Sequence, residues 1–261
     1  MSKQQISSST TTSADYSYRT FYIQKKNGSK RKICAPSKDL LKLQRKALPS
    51  LVSQFLSLEA SKLGSEIFHG FIPGRNIVTC AQLHKNFAHT ITLDISNCFD
   101  SISADMLKLP HDSKFIEHET FCLAQGFATS PILSAIYLID PIAELKKLIH
   151  HIDPSAVLTV YADDIQISLT KQPYDVLNRL ITYTTFVLAK YKLTINKRKT
   201  RIRHAQHGNR KILGIQVGDS LNPSRKLKKK IRAARHQKNG PSLGGLVTAS
   251  RNLLPRILRN T

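Results

Sequence analysis

Hydrophobic residues change their spacing several times along the chain, and each change marks an element. Tyr16 to Ile33 alternates aromatic or apolar with basic residues around Asn27-Gly28, which predicts a β-hairpin with a two-residue turn. Leu40, Leu41, Leu43, Leu48, Leu51, Val52 and Phe55 then recur at roughly helical spacing and predict a basic amphipathic helix or helix pair. Pro73-Gly74 breaks the chain, and Ile77 to Phe87 is expected to be helical. Thr90 to Asp94 alternates again: Ile91 and Leu93 face one way, Thr92 and Asp94 the other. Ser101 to His118 carries no period. Gly126 and Pro131 bracket the entry to a helix running to about Leu148 and stopped by Pro154. Val157–Val160 and Ile165–Ile167 read as strands joined by Tyr161-Ala162-Asp163-Asp164. Tyr174 to Tyr191 predicts an amphipathic helix with Leu177, Leu180, Ile181, Phe186 and Val187 on its buried stripe. Leu193–Ile195 and Lys211–Val217 are expected strands, and the Ser/Thr-rich residues 6–13 a frayed end.

Composition narrows the class. The chain has 261 residues, 41% of them hydrophobic and only 11 Gly and 11 Pro, which is globular and long enough for one or two cored domains. No apolar run approaches the ~18 residues a membrane span needs, and no signal-peptide pattern opens the chain. Cys34, Cys80, Cys98 and Cys122 stand far apart, with neither zinc spacing nor the density of a disulfide scaffold, so a reducing cytoplasm fits. With 40 Lys and Arg against 17 acids the formal charge is +23, which points to a polyanionic partner, nucleic acid first. That charge is uneven. From Lys197 onward there are 18 Lys and Arg and one acid, Asp219, centred on Arg225, Lys226, Lys228, Lys229 and Lys230.

In a chain poor in acids, three carboxylates stand in telling places. Asp163 and Asp164 sit at a hairpin tip, and Asp94 ends a strand on its polar face. Asp is a common turn residue, so a lone Asp-Asp in a hairpin means little. Adjacent carboxylates flanked by apolar strands repel until a cation neutralises them, and hard divalent ions such as Mg²⁺ do this well. Two such ions serve nucleotidyl transfer in polymerases.

At this point the sequence resembles a known family, the reverse transcriptases, and most closely those of bacterial retrons. The resemblance runs over about residues 20–235. It is carried in order by K-R-K-I-C-A-P-S (30–37), H-G-F-I-P-G-R-N-I-V-T (69–79), L-D-I-S-N-C-F-D-S-I (93–102), A-Q-G-F-A-T-S-P-I-L-S (124–134), Y-A-D-D (161–164), L-T-I-N-K-R-K-T (193–200) and I-L-G-I (212–215). Six or more blocks in order are specific where one alone is not.

The resemblance implies an α+β right-hand polymerase fold. A disordered N-terminus (1–15) would precede fingers (16–89), an antiparallel-sheet palm (90–217, with a fingers insertion at about 103–122) and a basic helical thumb (218–261). Asp94, Asp163 and Asp164 would be catalytic and hold two Mg²⁺, with Mn²⁺ as a substitute and the Ile95 carbonyl as a further ligand. Phe99, five residues after Asp94, would be the steric gate selecting dNTPs; a core aromatic is its other reading. Gln125 and Gly126 would floor the nucleotide pocket. Arg31, with Lys30 or Lys32, would meet the triphosphate, and Lys199 would act near the pyrophosphate; each also reads as a solvated charge. Leu213 and Gly214 would grip the primer, with Arg225, Lys226, Lys228, Lys229 and Lys230 along the duplex.

Ala81 and His84 match the Ala and His of the retron N-A-x-x-H signature, whose Asn is replaced by Cys80, and the retron V-T-G reads Ile212-Leu213-Gly214. D-I-S-N-C-F-D is also similar to group II intron enzymes. The implied function is copying of a cognate structured non-coding RNA into RNA-linked DNA from a 2′-hydroxyl primer, with dNTPs as substrates. A defence effector protein would be a partner, a bacterial cytoplasm the location, and no RNase H domain is expected in the roughly 45 residues after the grip block, too few for a domain. The alternatives are a group II-like or other defence-associated reverse transcriptase, or a non-catalytic RNA-binding module of the same fold.

Overall fold

The computed structural model describes residues 9–13, 16–25, 28–207 and 210–236. The predicted turn residue Asn27, most of the expected disordered N-terminus and the thumb leucines from Leu246 onward lie outside the described residues. The chain divides into two compact units. One takes the residues up to Gly64 plus Asn97–Asp140; the other takes Ser65–Ser96 and the residues from Pro141 on. Residues 65–89, read from sequence as fingers, belong to the unit that holds Asp94, Asp163 and Asp164.

The first unit is built on an antiparallel sheet of order β1-β2-β3, from β1 (Ser9–Ser13), β2 (Tyr16–Gln24) and β3 (Lys30–Pro36). The hairpin expected around Asn27-Gly28 is β2–β3, paired from Tyr18↔Pro36 to Gln24↔Lys30, but its connection is longer than the two-residue turn expected: the strands part after Gln24↔Lys30, and the Lys25 amide donates to the Ser29 carbonyl at 2.7 Å. Strand β1 replaces the expected frayed end: its Thr10-Thr11-Thr12 run is β-branched and pairs with Ser17–Arg19. Helix α1 (Lys38–Leu63) is one helix with Pro49 inside it. Ser37 caps its start by accepting from the Leu40 amide, worth about 1 kcal/mol, and Gly64 ends it in the left-handed conformation at φ 61°. The small core joins Tyr18, Cys34, Leu40, Ala124 and Phe127. Buried Gln44 donates to the Lys114 carbonyl at 2.9 Å and accepts from the Ala128 amide at 2.9 Å, tying the irregular 97–129 stretch to α1.

The second unit centres on an antiparallel sheet of order β5-β6-β4-β7, where α2 (Ile77–Leu83) precedes β4 (His89–Asp94). Helix α3 (Ser130–Ile152) enters this unit at Pro141. Then follow β5 (Val157–Tyr161), β6 (Asp164–Leu169), α4 (Tyr174–Lys190) and β7 (Arg201–His204). A meander of β8 (Arg210–Ile212), β9 (Ile215–Val217) and β10 (Leu221–Pro223) leads to α5 (Arg225–His236). No helix among the described residues is long and apolar enough to cross a membrane.

Several local expectations change. Helix α2 stops at Leu83, four residues short of Phe87, because His84 leaves the helical region and caps it. Leu193–Ile195 forms only an isolated bridge, Ile195 to Ile95. The single strand expected over Lys211–Val217 is two strands around Leu213-Gly214, whose φ values of 50° and 88° make a tight hairpin turn. Phe186, expected on the buried stripe of α4, is 61% exposed, and the stripe is Leu177, Leu180, Thr184, Val187 and Leu188. Strand β4 does not present a wet face: every residue but Thr92 is buried, because β4 is interior to the sheet with β6 and β7 on either side.

Candidate catalytic carboxylate site

Strand pairing brings the carboxylates together. β4 and β6 run antiparallel in a register that sets Asp94 directly opposite Asp164. β5 and β6 close on the pair Tyr161↔Asp164, leaving Ala162-Asp163 as the two-residue tip. Ala162 sits at φ 57°, a left-handed conformation that costs a Cβ-bearing residue energy and clusters at functional turns. The Ile95 amide donates to the Asp163 carbonyl at 2.8 Å, and the Asn196 amide donates to the Asp94 carbonyl at 2.8 Å. Two loops are thus sewn to the ends of the carboxylate-bearing strands. Asp94 itself is 5% exposed.

The electrostatics show unbalanced negative charge. Burial pushes the Asp164 carboxyl up to about 7, helped by the charges of Asp163 and Asp94 and opposed by Lys199. Lys199 donates from Nζ to Asp94 Oδ1 at 2.6 Å, and that bond raises its own pKa. The lysine expected near a leaving group is therefore paired with a carboxylate. Among the described residues no three Asp, Glu, His or Cys groups are already closed into a coordination cluster. The donor chemistry nevertheless fits a hard cation: carboxylates are paired across adjacent strands, one has its pKa raised by burial and by its acidic neighbours, and Lys199 already partly neutralises Asp94. Ile95 is 1% exposed, and its hydrocarbon side chain has no donor atom, so the ligand role the resemblance implies would fall to its backbone carbonyl.

Sequence reasoning missed the support beneath this turn. Phe68 pairs with Val160 in a parallel bridge, and the His69 amide donates to the Val160 carbonyl at 2.8 Å. Arg75 holds this segment by donating to the Phe68 carbonyl at 2.7 Å. Gly70 then lies against the Ala162-Asp163 turn so closely that a Cβ there would be 2.5 Å from the Ala162 nitrogen. Phe71 follows at φ 61°, 61% exposed, its ring 6.4 Å from that of Tyr161. The only sequence signal was a Gly-Phe pair inside the 69–79 block.

The remaining candidates fall elsewhere. Arg31, Phe99, Gln125 and Gly126 belong to the first unit. There the Cys34 amide donates to the Gln125 carbonyl at 2.8 Å, and a Cβ on Gly126 (φ 116°) would be 2.3 Å from the Cys34 carbonyl oxygen. The pocket block is thereby laid along β3, the strand that carries Arg31. Arg31 is exposed, but Lys32 is paired with Glu117 at 3.2 Å and Glu119 at 2.6 Å. Phe99 opens a 3-10 turn, Phe99–Ser101, and is half-buried. Leu213 and Gly214 form the β8–β9 turn, Arg225 and Lys229 are exposed on α5, and Lys228 is half-buried there. Lys226 and Lys230 belong to α5 by backbone alone.

Ala81 and His84 require correction. Both are fully buried, so neither side chain can touch RNA in this structure. Ala81 packs with Val78, Cys80, Ile212, Ile215, Val217 and Leu227. The His84 ring bonds Ser168 Oγ at 2.8 Å and Thr159 Oγ1 at 2.7 Å, pinning the end of α2 to β5 and β6. Burial lowers its pKa to about 3, and that of His69 to about 4. An imidazole held neutral in the fold and titrating normally when unfolded stabilises the fold fully above pH 6.5. That contribution is lost as pH falls towards the folded values. As pH falls below 6.5, each imidazole is expected to cost up to about 1.4 kcal/mol of stability per pH unit. The raised Asp164 carboxyl acts the other way, adding stability as it protonates below about pH 7, so the imidazole share is read as the difference in thermal unfolding between wild type and His84→Gln from pH 8 to 5. The His84→Gln variant should lose its share of that slope.

Comparison with known proteins places this geometry. Residues 23–217 match the reverse transcriptase (RNA-dependent DNA polymerase) family. The retron Mx65 reverse transcriptase of Myxococcus xanthus is 26% identical over 250 residues, covering 84% of this chain and 56% of that protein. The retron Ec48 reverse transcriptase of Escherichia coli is 26% identical over 239 residues, covering 85% and 58%. The chain thus spans just over half the length of these relatives. Among solved structures, telomerase from Candida tropicalis in complex with a fragment of telomeric RNA aligns with a TM-score of 0.56 at 15% identity, over 76% of this chain and 42% of that one. Candida albicans telomerase in the equivalent complex aligns with 0.54 at 12% identity, over 79% and 45%. These likenesses show the α+β right-hand polymerase fold expected from sequence. With three quarters of its length matched and its carboxylates paired across β4 and β6, the chain belongs to the reverse transcriptase (RNA-dependent DNA polymerase) family.

Proposed function

We propose that the chain is an RNA-directed DNA polymerase of retron type, extending a primer on a cognate structured RNA and leaving RNA-linked DNA. One observation carries the chemistry: Asp94 faces Asp164 across β4 and β6, beside Asp163 at the tip, where mutual repulsion and burial hold Asp164 near neutral pH. Such an arrangement costs stability unless a cation is to be bound there. The retron assignment rests on the two relatives, each covering more than four fifths of this chain.

In this reading Asp94, Asp163, Asp164 and the Ile95 carbonyl hold two Mg²⁺, or Mn²⁺ in their place. The ions, when bound, activate the attacking hydroxyl and neutralise the leaving pyrophosphate. The chain's own groups do the rest. Lys199, now on Asp94, is freed when the carboxylates are otherwise neutralised and serves the departing phosphates. Phe99 excludes the ribose 2′-hydroxyl, Gln125 and Gly126 hold the base and sugar, and Arg31 meets the triphosphate. Lys32 is committed to Glu117 and Glu119 and orients the fingers strand instead. Leu213, Gly214 and the basic residues of α5 bear on the primer and template backbone. A defence effector is the partner such a product would serve.

The test is to purify the chain with its bound nucleic acid, sequence that material, and supply dNTPs with Mg²⁺. The expected product is DNA joined to an internal 2′-position of a single co-purifying RNA. DNA with a free 5′ end would reject retron-type priming alone, whereas no extension on any template would reject the polymerase reading.

A further inference from the structure

A polar cavity of about 800 Å³ opens at the other end of the four-stranded sheet. Its wall includes Asn86, Lys171, His204, Arg210, Gln216 and Asn222. Strand β4 fixes its place: His89, whose neighbour Ala88 lines the cavity, starts the strand, and Asp94 ends it. At about 3.3 Å per residue the two ends lie roughly 17 Å apart, too far for one nucleotide to bridge. The cavity is therefore a separate place from the carboxylate site.

Arg210 is what makes it unusual. The side chain is 2% exposed, yet among the described residues no carboxylate lies within ion-pair range of it. Its Nη1 donates to the His84 carbonyl at 3.0 Å and to Thr90 Oγ1 at 3.4 Å, while Nε is buried with no partner among the described residues. Burial alone shifts its pKa, downward, with no acid to counter it. A buried guanidinium needs a counter-charge, and the carbonyl at the end of α2 supplies only a partial one. Lys171 adds a second, exposed cation at the same wall; Asp219, the acid there, is exposed and unpaired with Arg210. Asn222 of the wall belongs to β10, which leads directly into α5, where Arg225 and Lys229 are exposed. A buried donor, a rim cation and a basic helix in sequence form a track for a chain of anions.

We propose that this cavity is a phosphate site that takes a phosphodiester of bound RNA, with Arg210 as its buried anchor and Lys171 at its rim. The site would hold RNA by its backbone, remote from the reaction, and fix its orientation without reading its sequence. The proposal rests on the nucleic-acid reading above for the source of the phosphate, not for the existence of the site.

The test uses the full chain stripped of nucleic acid. Inorganic phosphate is titrated against chloride at matched ionic strength, then a short unphosphorylated RNA, reading thermal stability and the Arg210 Nε–H resonance. Both probes are expected to raise the melting temperature and move that resonance. Lys171→Glu is expected to weaken both about three- to tenfold, as loss and reversal of one phosphate contact should. Arg210→Gln should abolish the phosphate-dependent rise in melting temperature; should that variant not fold, Lys171→Glu still decides. A response to phosphate without one to RNA would overturn the RNA source and leave a terminal-phosphate site. No response to either, or full binding by Lys171→Glu, would overturn the proposal. The Asp163→Asn/Asp164→Asn chain should bind as the wild type does, so failure of the polymerase reading would not disturb this measurement.

Discussion

Replacing Asp163 and Asp164 together by Asn is expected to cut dNTP incorporation at least ~10³-fold while leaving the chain folded and somewhat more heat-stable. Asn keeps the size and the acceptor oxygen of Asp but carries no charge, so the hairpin tip closed by Tyr161↔Asp164 should survive. What disappears is the repulsion and burial cost that drive the Asp164 carboxyl up to about 7. Stability and activity thus move in opposite directions, which a residue serving only the fold would not allow. The magnitude follows from losing preorganised charge where charge develops, usually worth about 10²–10³ for one donor and more for a metal-holding pair. Mg²⁺ offers a second reading of the same variant. It should raise the melting temperature of the wild type and leave that of the double Asn chain unchanged. Activity above about one part in a hundred of wild type would show that the reaction centre lies elsewhere.

Much of this site was legible before any coordinates. Asp94, Asp163 and Asp164 announce themselves because charge flanked by apolar strand residues is costly, and the ordered blocks around them are specific. The hairpin β2–β3 and helix α4 follow from period, α3 from the Gly126, Pro131 and Pro154 signals that bracket it, and the basic α5 from the family resemblance. What was not legible depends on partners. Arg201–His204 carries no strand signal that was read from the sequence, yet it is a strand because β4 offers it an edge, pairing Thr92↔Arg201 through His89↔His204. Thr10–Thr12 reads as a frayed end until β2 is there to pair with it. His84 reads as solvated on spacing, and its burial depends on Thr159 and Ser168, 75 and 84 residues away. Arg210 is the plainest case: one basic residue among 18 in the last quarter of the chain, and nothing in that charge-rich stretch separates it from those on the surface.

Gly70→Ala is expected to lower the polymerisation rate about 10²-fold or more, although residue 70 carries no functional group. The cause is steric and local. An added Cβ would stand 2.5 Å from the Ala162 nitrogen, 3.1 Å from the Tyr161 carbonyl carbon and 3.2 Å from the Tyr161 Cα. All three are backbone atoms of the carboxylate-bearing turn, so no rotamer change relieves the clash. The segment is also held from behind, by the Phe68–Val160 bridge, the His69-to-Val160 amide bond and the Arg75 contact to Phe68. The softer side is the turn, where Ala162 already sits at φ 57°. Displacing that turn by a fraction of an ångström to 1 Å moves Asp163 and loosens the bond from the Ile95 amide to the Asp163 carbonyl, at 2.8 Å in the native chain. A shift of that size costs about two decades in rate, while overpacking of one methyl costs about 1–3 kcal/mol of stability. Gly70→Val should be worse on both counts. The measurement is steady-state extension with Mg²⁺ alongside thermal unfolding. A Gly70→Ala chain as active as wild type would mean that the turn does not need its native position, and would remove the structural basis for placing the reaction there.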